Sequence, residues 1–326
     1  MGAWPADDAP KSAPMNRTQA LLLGIAALIL AGIVAVLILS AQQPVAEATP
    51  TPSPSPSGTP SPSATPSLNA ELLNQRLTVL LVGIDLNEAR AGMTANTDAL
   101  LTVSINADQS QVSLVSLPRD TVDVPLPDGT TLDSKINGLF AVQGIDAVVG
   151  AMETLYGVPI DGYVTLDMDD FSALVDAAGG VTVNPSAPLA DPGVAIDLAP
   201  GEQELDAPTT LGYVRTRVDQ DYGRMARQQE VIVDLVRRLV DPETEVDLQA
   251  LIDGLDSFET DLDLADLPTY VEIARRAAEA DVQGLVIGPP EQIVFEGDRG
   301  DGRGYVLIPD VDAIREAVQE LIPPEE

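Results

Sequence analysis

Arg119, Lys135, Arg215, Arg217, Arg224 and Arg227 are the only basic residues between Ala91 and Arg227, in a chain with 51 acidic against 17 basic residues and a formal charge of -34. The last four fall close together, and Lys135 shares its type only with Lys11. Cations this scarce, gathered against a negative background, suit a multiply charged phosphate or diphosphate, whose oxygens arginine forks bind in pairs. Arg224, Arg227 and Gln228 stand at i, i+3 and i+4 of a helix predicted over 224–240, so they share a face. Arginines at the positive end of a helix dipole are unfavourable unless an anion sits there as well, and helix starts themselves attract anions. Tyr213-Val214-Arg215-Thr216-Arg217 puts two arginines on one side of an extended or loosely helical segment; the plainer reading is a solvated charged face. Arg119 and Asp120, just past a strand, read either as part of the same site or as a salt-bridged turn.

Asp85 and Asp98 stand at the end and the start of two buried strands. Two carboxylates meeting at a sheet edge suit a hard, oxygen-ligated cation such as Mg2+, and the alternative is that both cap turns. The chain has no histidine and no cysteine. That excludes Ser-His-Asp chemistry, a cysteine nucleophile and thiolate metal sites. Catalysis is left to carboxylates, arginines, the lysine and a hard metal. A charge of -34 also argues against nucleic acid as a partner.

The elements that must position these groups are legible in outline. Runs at 77–84, 98–105 and 111–117 read as buried strands, the last two joined as a hairpin through 106–110. Helices are predicted over 135–140, 145–156 and 168–178, with strands at 160–166 and 181–183. The loop up to Asp206 is rich in Pro, Asp and Gly, and Pro242 ends the arginine-bearing helix. Beyond it, 248–322 reads as two or three helices with strands at 284–287 and 305–307. Mixed strands and helices indicate an α/β domain layered α-β-α around a mixed sheet.

Residues 20–40 carry no charge and no proline, a run long enough for one transmembrane helix of about 30 Å. Lys11 and Arg17 precede it, which places the N-terminus in the cytoplasm and the rest outside. A cleaved signal peptide is the alternative, but Leu39-Ser40-Ala41 fits a small-x-small cleavage site poorly. Residues 44–67 are mostly Pro, Ser, Thr and Ala, an extended spacer reaching on the order of 70 Å. The expected organisation is a cytoplasmic tail at 1–19, a transmembrane helix at 20–40 and an extracytoplasmic linker at 41–70. A catalytic domain follows at 71–242, with a C-terminal extension at 243–326 packed upon it.

The motifs, in their order, resemble the LytR-CpsA-Psr (LCP) family of cell-wall phosphotransferases over about 77–240. The resemblance rests on Leu-Leu-Val-Gly-Ile-Asp85, Thr97-Asp98, Val-Ser-Leu-Pro-Arg119-Asp120-Thr121 and Ser134-Lys135-Ile136-Asn137. It continues through Gly157-Val-Pro-Ile-Asp-Gly-Tyr163, Phe171 to Val181, Tyr213-Val-Arg-Thr-Arg217, Asp221-Tyr-Gly-Arg224 and Arg227-Gln228-Gln229. Asn96 stands where the family has an arginine before the Thr-Asp pair, and Asn87 where it has a second one, unless Arg90 substitutes.

The resemblance implies a membrane-anchored enzyme that moves a phosphoglycan from polyprenyl diphosphate to peptidoglycan. Asp85 and Asp98 would hold Mg2+ or Mn2+ against the diphosphate, and Arg119, Arg215, Arg217, Arg224 and Arg227 would clamp its oxygens with Gln228 assisting. Lys135 would be a further contact or an ion-pair partner. Asp120 or Asp221 would take the acceptor's proton, and the apolar core would house the prenyl tail. A polyprenyl diphosphate hydrolase and a noncatalytic lipid- or glycan-binding regulator at the surface are the competing readings.

Overall fold

In the computed structural model, which describes residues 68–84, 96–244, 246 and 259–324, strand β1 (Leu77–Ile84) is buried at every position. Its alternate side chains enter two different cores. Leu77, Val79 and Leu81 face one, and Leu80, Val82 and Ile84 face the other. A strand buried on both faces belongs in the middle of a sheet covered on both sides. β1 pairs antiparallel with β2 (Thr97–Ile105), which pairs antiparallel with β3 (Gln111–Leu117). Two short strands follow and pair with each other, β4 (Val124–Pro125) with β5 (Thr131–Leu132), before β6 (Gly162–Leu166) lies parallel to β1.

The first helices are α1 (Leu139–Gln143), α2 (Ile145–Tyr156) and α3 (Met168–Ala177). The Asp167 carboxylate caps α3, accepting from the amides of Asp169 and Asp170 at 2.9 and 3.0 Å. Small strands β7 (Val181–Val183), β8 (Leu189–Asp191), β9 (Ile196–Leu198) and β10 (Gln203–Leu205) occupy the stretch expected as loop. Gly180, at φ +104°, lets β10 approach: a Cβ there would stand 2.6 Å from the Leu205 carbonyl oxygen. Then come α4 (Ala207–Tyr213), α5 (Gln220–Val240), β11 (Glu259–Thr260) and α6 (Leu267–Ala277). The chain closes with β12 (Asp281–Val286), the hairpin β13 (Ile293–Asp298) and β14 (Tyr305–Pro309), and α7 (Val311–Leu321).

The central sheet has six strands in the order β11-β6-β1-β2-β3-β12 and is mixed, as expected. Phe171, Leu174, Val231, Leu235 and Ile273 bring α3, α5 and α6 onto one face; Val148, Leu155, Ile314 and Val318 bring α2 and α7 onto the other. Both edge strands of this sheet come from 243–326. β11 pairs with β6, and β12 runs parallel to β3 from Asp281↔Gln111 to Val286↔Ser116. That segment, expected as an extension packed upon a domain ending at 242, is therefore part of the sheet itself. The domain also starts before residue 71. Asn69 donates its backbone amide to the Thr269 hydroxyl and its side-chain amide to Asp266, both at 2.9 Å.

Among the described residues no helix is long and apolar enough to cross a membrane. The predicted tail, span and most of the linker lie outside the described residues.

Candidate active site

The ends of β1, β2 and β3 set the position of the site. Ile84, the last residue of β1, pairs with Thr97, so Asp98 stands beside the point where β1 leaves the sheet. β3 then delivers Arg119 through Pro118. Arg119 Nη1 donates to Asp98 Oδ1, and the Asp98 side chain is only 1% exposed. Asp120 continues the chain of charges, with Lys135 Nζ 2.8 Å from its Oδ1. Asp85, Asn87 and Arg90 lie outside the described residues. Among those described, no group of three or more carboxylates is placed to hold a metal.

The second half of the site comes from α5, and its start differs from expectation. The helix begins at Gln220, one turn earlier than predicted, after Gln220 itself adopts φ +74°. Arg224 and Arg227 therefore sit inside the helix rather than at its positive end, and the first turn holds Asp221, the charge its dipole favours. Asp221 takes Arg224 Nε at 2.9 Å and Arg217 Nε at 3.2 Å. Arg224 Nη1 reaches across to the Asp98 carbonyl oxygen at 3.2 Å. Asp98, Arg119, Arg217, Asp221 and Arg224 thus form one electrostatic group between the ends of β2 and β3 and the start of α5.

Their mutual influence is strong. Burial pushes the Asp221 carboxyl up, but Arg224, Arg217 and Arg119 outweigh it and hold the group below its ordinary value. Burial first, then the neighbouring Arg224, brings Arg217 down to about 10, with Asp221 opposing. Arg217 remains a cation at neutral pH.

Arg227 and Gln228 belong to a different arrangement. Arg227 donates to the Tyr213 carbonyl at 2.9 Å, the Thr216 carbonyl at 2.6 Å and the Asp219 carboxylate at 2.5 Å. Gln228 donates to the Val214 carbonyl at 3.2 Å. Both side chains are buried. Together they fix the turn between α4 and α5 that carries Arg215, itself buried, and Arg217. The shared helical face read from the sequence is real, but Arg227 and Gln228 turn it toward the protein's own carbonyls, so they position the other two.

Three residues escaped the sequence reading. The Tyr222 hydroxyl donates to Glu296 Oε2 at 3.2 Å, and the Tyr305 hydroxyl donates to Oε1 of the same carboxylate. Glu296 and Tyr305 lie on β13 and β14, in the segment set aside as an extension. The available signal was scarcity: the chain has only six tyrosines, and Tyr222 follows Asp221 directly.

Away from the charges, the face of the sheet under α5 and α6 encloses an apolar cavity of about 40 Å3, lined by Val103, Ile105, Leu114, Ile232, Val236 and Ala277. It shares Leu114, Val233 and Arg237 with a groove of about 360 Å3 that runs along α5 past Gln229 and Ala226.

A mixed-sheet α/β domain with arginines and aspartates interlocked at the strand ends, in a chain with neither histidine nor cysteine, carries the kinds of groups that phosphoryl transfer uses. The chain belongs to the LytR-CpsA-Psr family, whose model (LytR_cpsA_psr) matches residues 42–316. This match is wider than the motifs suggested and takes in most of 243–326. The chain is similar to two proteins named polyisoprenyl-teichoic acid--peptidoglycan teichoic acid transferase TagU. That of Enterococcus faecalis is 29% identical, over 75% of this chain and 78% of the relative. That of Halalkalibacterium halodurans is 30% identical, over 73% and 76%. The fold matches the crystal structure of B. subtilis TagV with a TM-score of 0.63 at 24% identity, covering 78% of this chain and 99% of that one.

Proposed function

We propose that this protein transfers a phosphoglycan from a polyprenyl diphosphate lipid to a hydroxyl of peptidoglycan. The observation that carries the reading is the convergence of Arg119, Arg217 and Arg224 with Asp98 and Asp221 at one end of the central strands. The similarity to teichoic acid transferases supports the substrate class. The acceptor oxygen forms a bond to the glycan-bearing phosphorus. The bond from that phosphorus to the bridging oxygen breaks, and polyprenyl monophosphate leaves with that oxygen. Arg217 and Arg119 hold the phosphate oxygens, where positioning and charge neutralisation do most of the catalytic work. The proton passes to a carboxylate. Asp120, paired with Lys135, and Asp221, paired with Arg217 and Arg224, are the carboxylates at hand.

Asp98, a buried carboxylate at the start of β2, has the oxygen chemistry of a hard-cation ligand, and Asp85 is the next residue in sequence after β1. Mg2+ or Mn2+ held by these two would neutralise charge on the diphosphate. The prenyl tail belongs in the apolar cavity under α5. At about 40 Å3 that space is much smaller than a prenyl chain, so the tail would have to extend beyond it. A single N-terminal span at 20–40, with the α-β-α domain outside the cell membrane, fits a lipid donor and a wall acceptor.

The test is reconstitution of the full chain with a labelled polyprenyl diphosphate glycan and peptidoglycan. Label should appear on peptidoglycan. Release of free glycan phosphate with no transfer would instead make the protein a diphosphatase.

A further inference from the structure

The C-terminal hairpin brings chemistry to the site that phosphate binding does not use. Leu307 on β14 bridges in parallel to Thr121: its amide donates to the Asp120 carbonyl at 3.1 Å, and its carbonyl accepts from Val122 at 2.9 Å. Two residues before Leu307, Tyr305 is therefore carried alongside Arg119. On the opposite side Tyr222 follows Asp221, its ring lying over Gly288, where a Cβ would approach within 3.1 Å. Both phenols converge on Glu296.

A purely structural role fits this cluster poorly. Tyr305 is 48% exposed and Glu296 is exposed, so neither is ordered by packing. A carboxylate beside an arginine clamp repels a phosphate and accepts hydroxyl donors. Half-exposed aromatic rings offer flat apolar faces with a polar rim, the surface a sugar ring stacks on. The pair of tyrosines now satisfies Glu296 with the hydroxyl hydrogens that an incoming neutral polyol would replace. Asp120 and Asp221 also hold the Tyr305 hydroxyl in its neutral, donating form, behind the larger effects of burial and Glu296.

We infer that Tyr222, Tyr305 and Glu296 form the acceptor subsite, binding a neutral sugar of the receiving glycan with one hydroxyl accepted by Glu296. This rests on the transferase reading given above and adds the side from which the acceptor enters.

Two measurements on the full-length protein separate the two. The first is equilibrium binding of a short uncrosslinked peptidoglycan oligomer, in the absence of donor, to wild type, Tyr305→Ala and Glu296→Gln. The second is transfer kinetics with acceptor and donor varied independently, with melting temperatures recorded for each variant. Both substitutions should weaken oligomer binding at least tenfold and raise the acceptor KM in step, while the donor KM stays within about twofold. Tyr305→Phe, which keeps the ring, should retain most of the binding. Unchanged oligomer affinity in both variants, or no oligomer binding by wild type, overturns the subsite. Absence of transfer by wild type overturns the transferase reading, and the binding result still decides whether these residues hold sugar.

Discussion

The Asp221 carboxylate accepts two parallel hydrogen bonds from the Arg224 guanidinium, Nε to Oδ1 at 2.9 Å and Nη2 to Oδ2 at 3.1 Å. Because Arg224 also reaches the Asp98 carbonyl, this pair fastens the start of α5 to the end of the sheet. Asp221→Asn leaves a cation that is 2% exposed without its counter-charge. Unfolding free energy should fall by about 3 kcal/mol or more, the range for a buried pair losing one partner. Urea midpoints of wild type and variant measure it.

The same group sets an acid limit. The native Asp221 gives up its proton more readily than the unfolded chain does. Its contribution to stability is therefore full above the ordinary carboxylate range and is lost as pH falls through the lower folded value. A stability profile from about pH 7 to about pH 3 should decline toward acid in wild type, and less steeply in Asp221→Asn. Parallel profiles would show that Asp221 does not carry this dependence.

Arg217 tests the clamp. Lysine keeps the charge but not the paired donors, so Arg217→Lys should cost about 2 kcal/mol of transition-state stabilisation, roughly thirtyfold in rate. Arg275 is the control, since it is 58% exposed and, among the described residues, pairs with Glu272 one turn away. Arg238 is not, because it ties Asp234 on α5 to Glu204 on β10. Near-normal turnover with lysine at 217 would leave a diffuse positive field in place of a clamp.

Metal dependence is best read without mutation. Activity should vanish with EDTA and return with Mg2+ or Mn2+. Asp98→Ala is the weaker probe: removing a buried carboxylate that accepts from Arg119 should itself destabilise by at least about 2 kcal/mol. Full activity in EDTA would remove the metal.

The domain boundary is also testable. A chain beginning at Leu68 should be more stable by about 1–2 kcal/mol than one beginning at Leu72, because only the longer keeps the Asn69 bonds to Thr269 and Asp266. Equal melting temperatures would show those bonds contribute nothing.

β1, β2 and β3 were legible because the first two are buried throughout and the third along all but its first two residues, and β1 and β3 match their expected limits. The start of α5 was not, because Gln220 to Gly223 is polar and glycine-containing and gives no apolar period. β12 escaped as a sheet member for the reason edge strands usually do: Asp281, Gln283 and Gly284 are exposed, and its parallel partner lies far back in the chain. At the site, scarcity found the cations. It could not separate Arg217, which faces Asp221, from Arg227, which faces carbonyls, since both lie in the same short stretch. Glu296 is one acidic residue among 51, and only the hairpin's docking distinguishes it.

The pairing of Asp281 with Gln111 has a kinetic consequence. During synthesis, β1, β2 and β3 are made early and can associate through a short hairpin. The free edge of β3 then waits until almost the whole chain exists. Contacts so distant in sequence are slow to form, and an open strand edge invites wrong partners meanwhile. Refolding should therefore show an early phase that reports on the hairpin and a late one that reports on β12. A chaperone acting on the nascent protein would have most to shield in the interval between them.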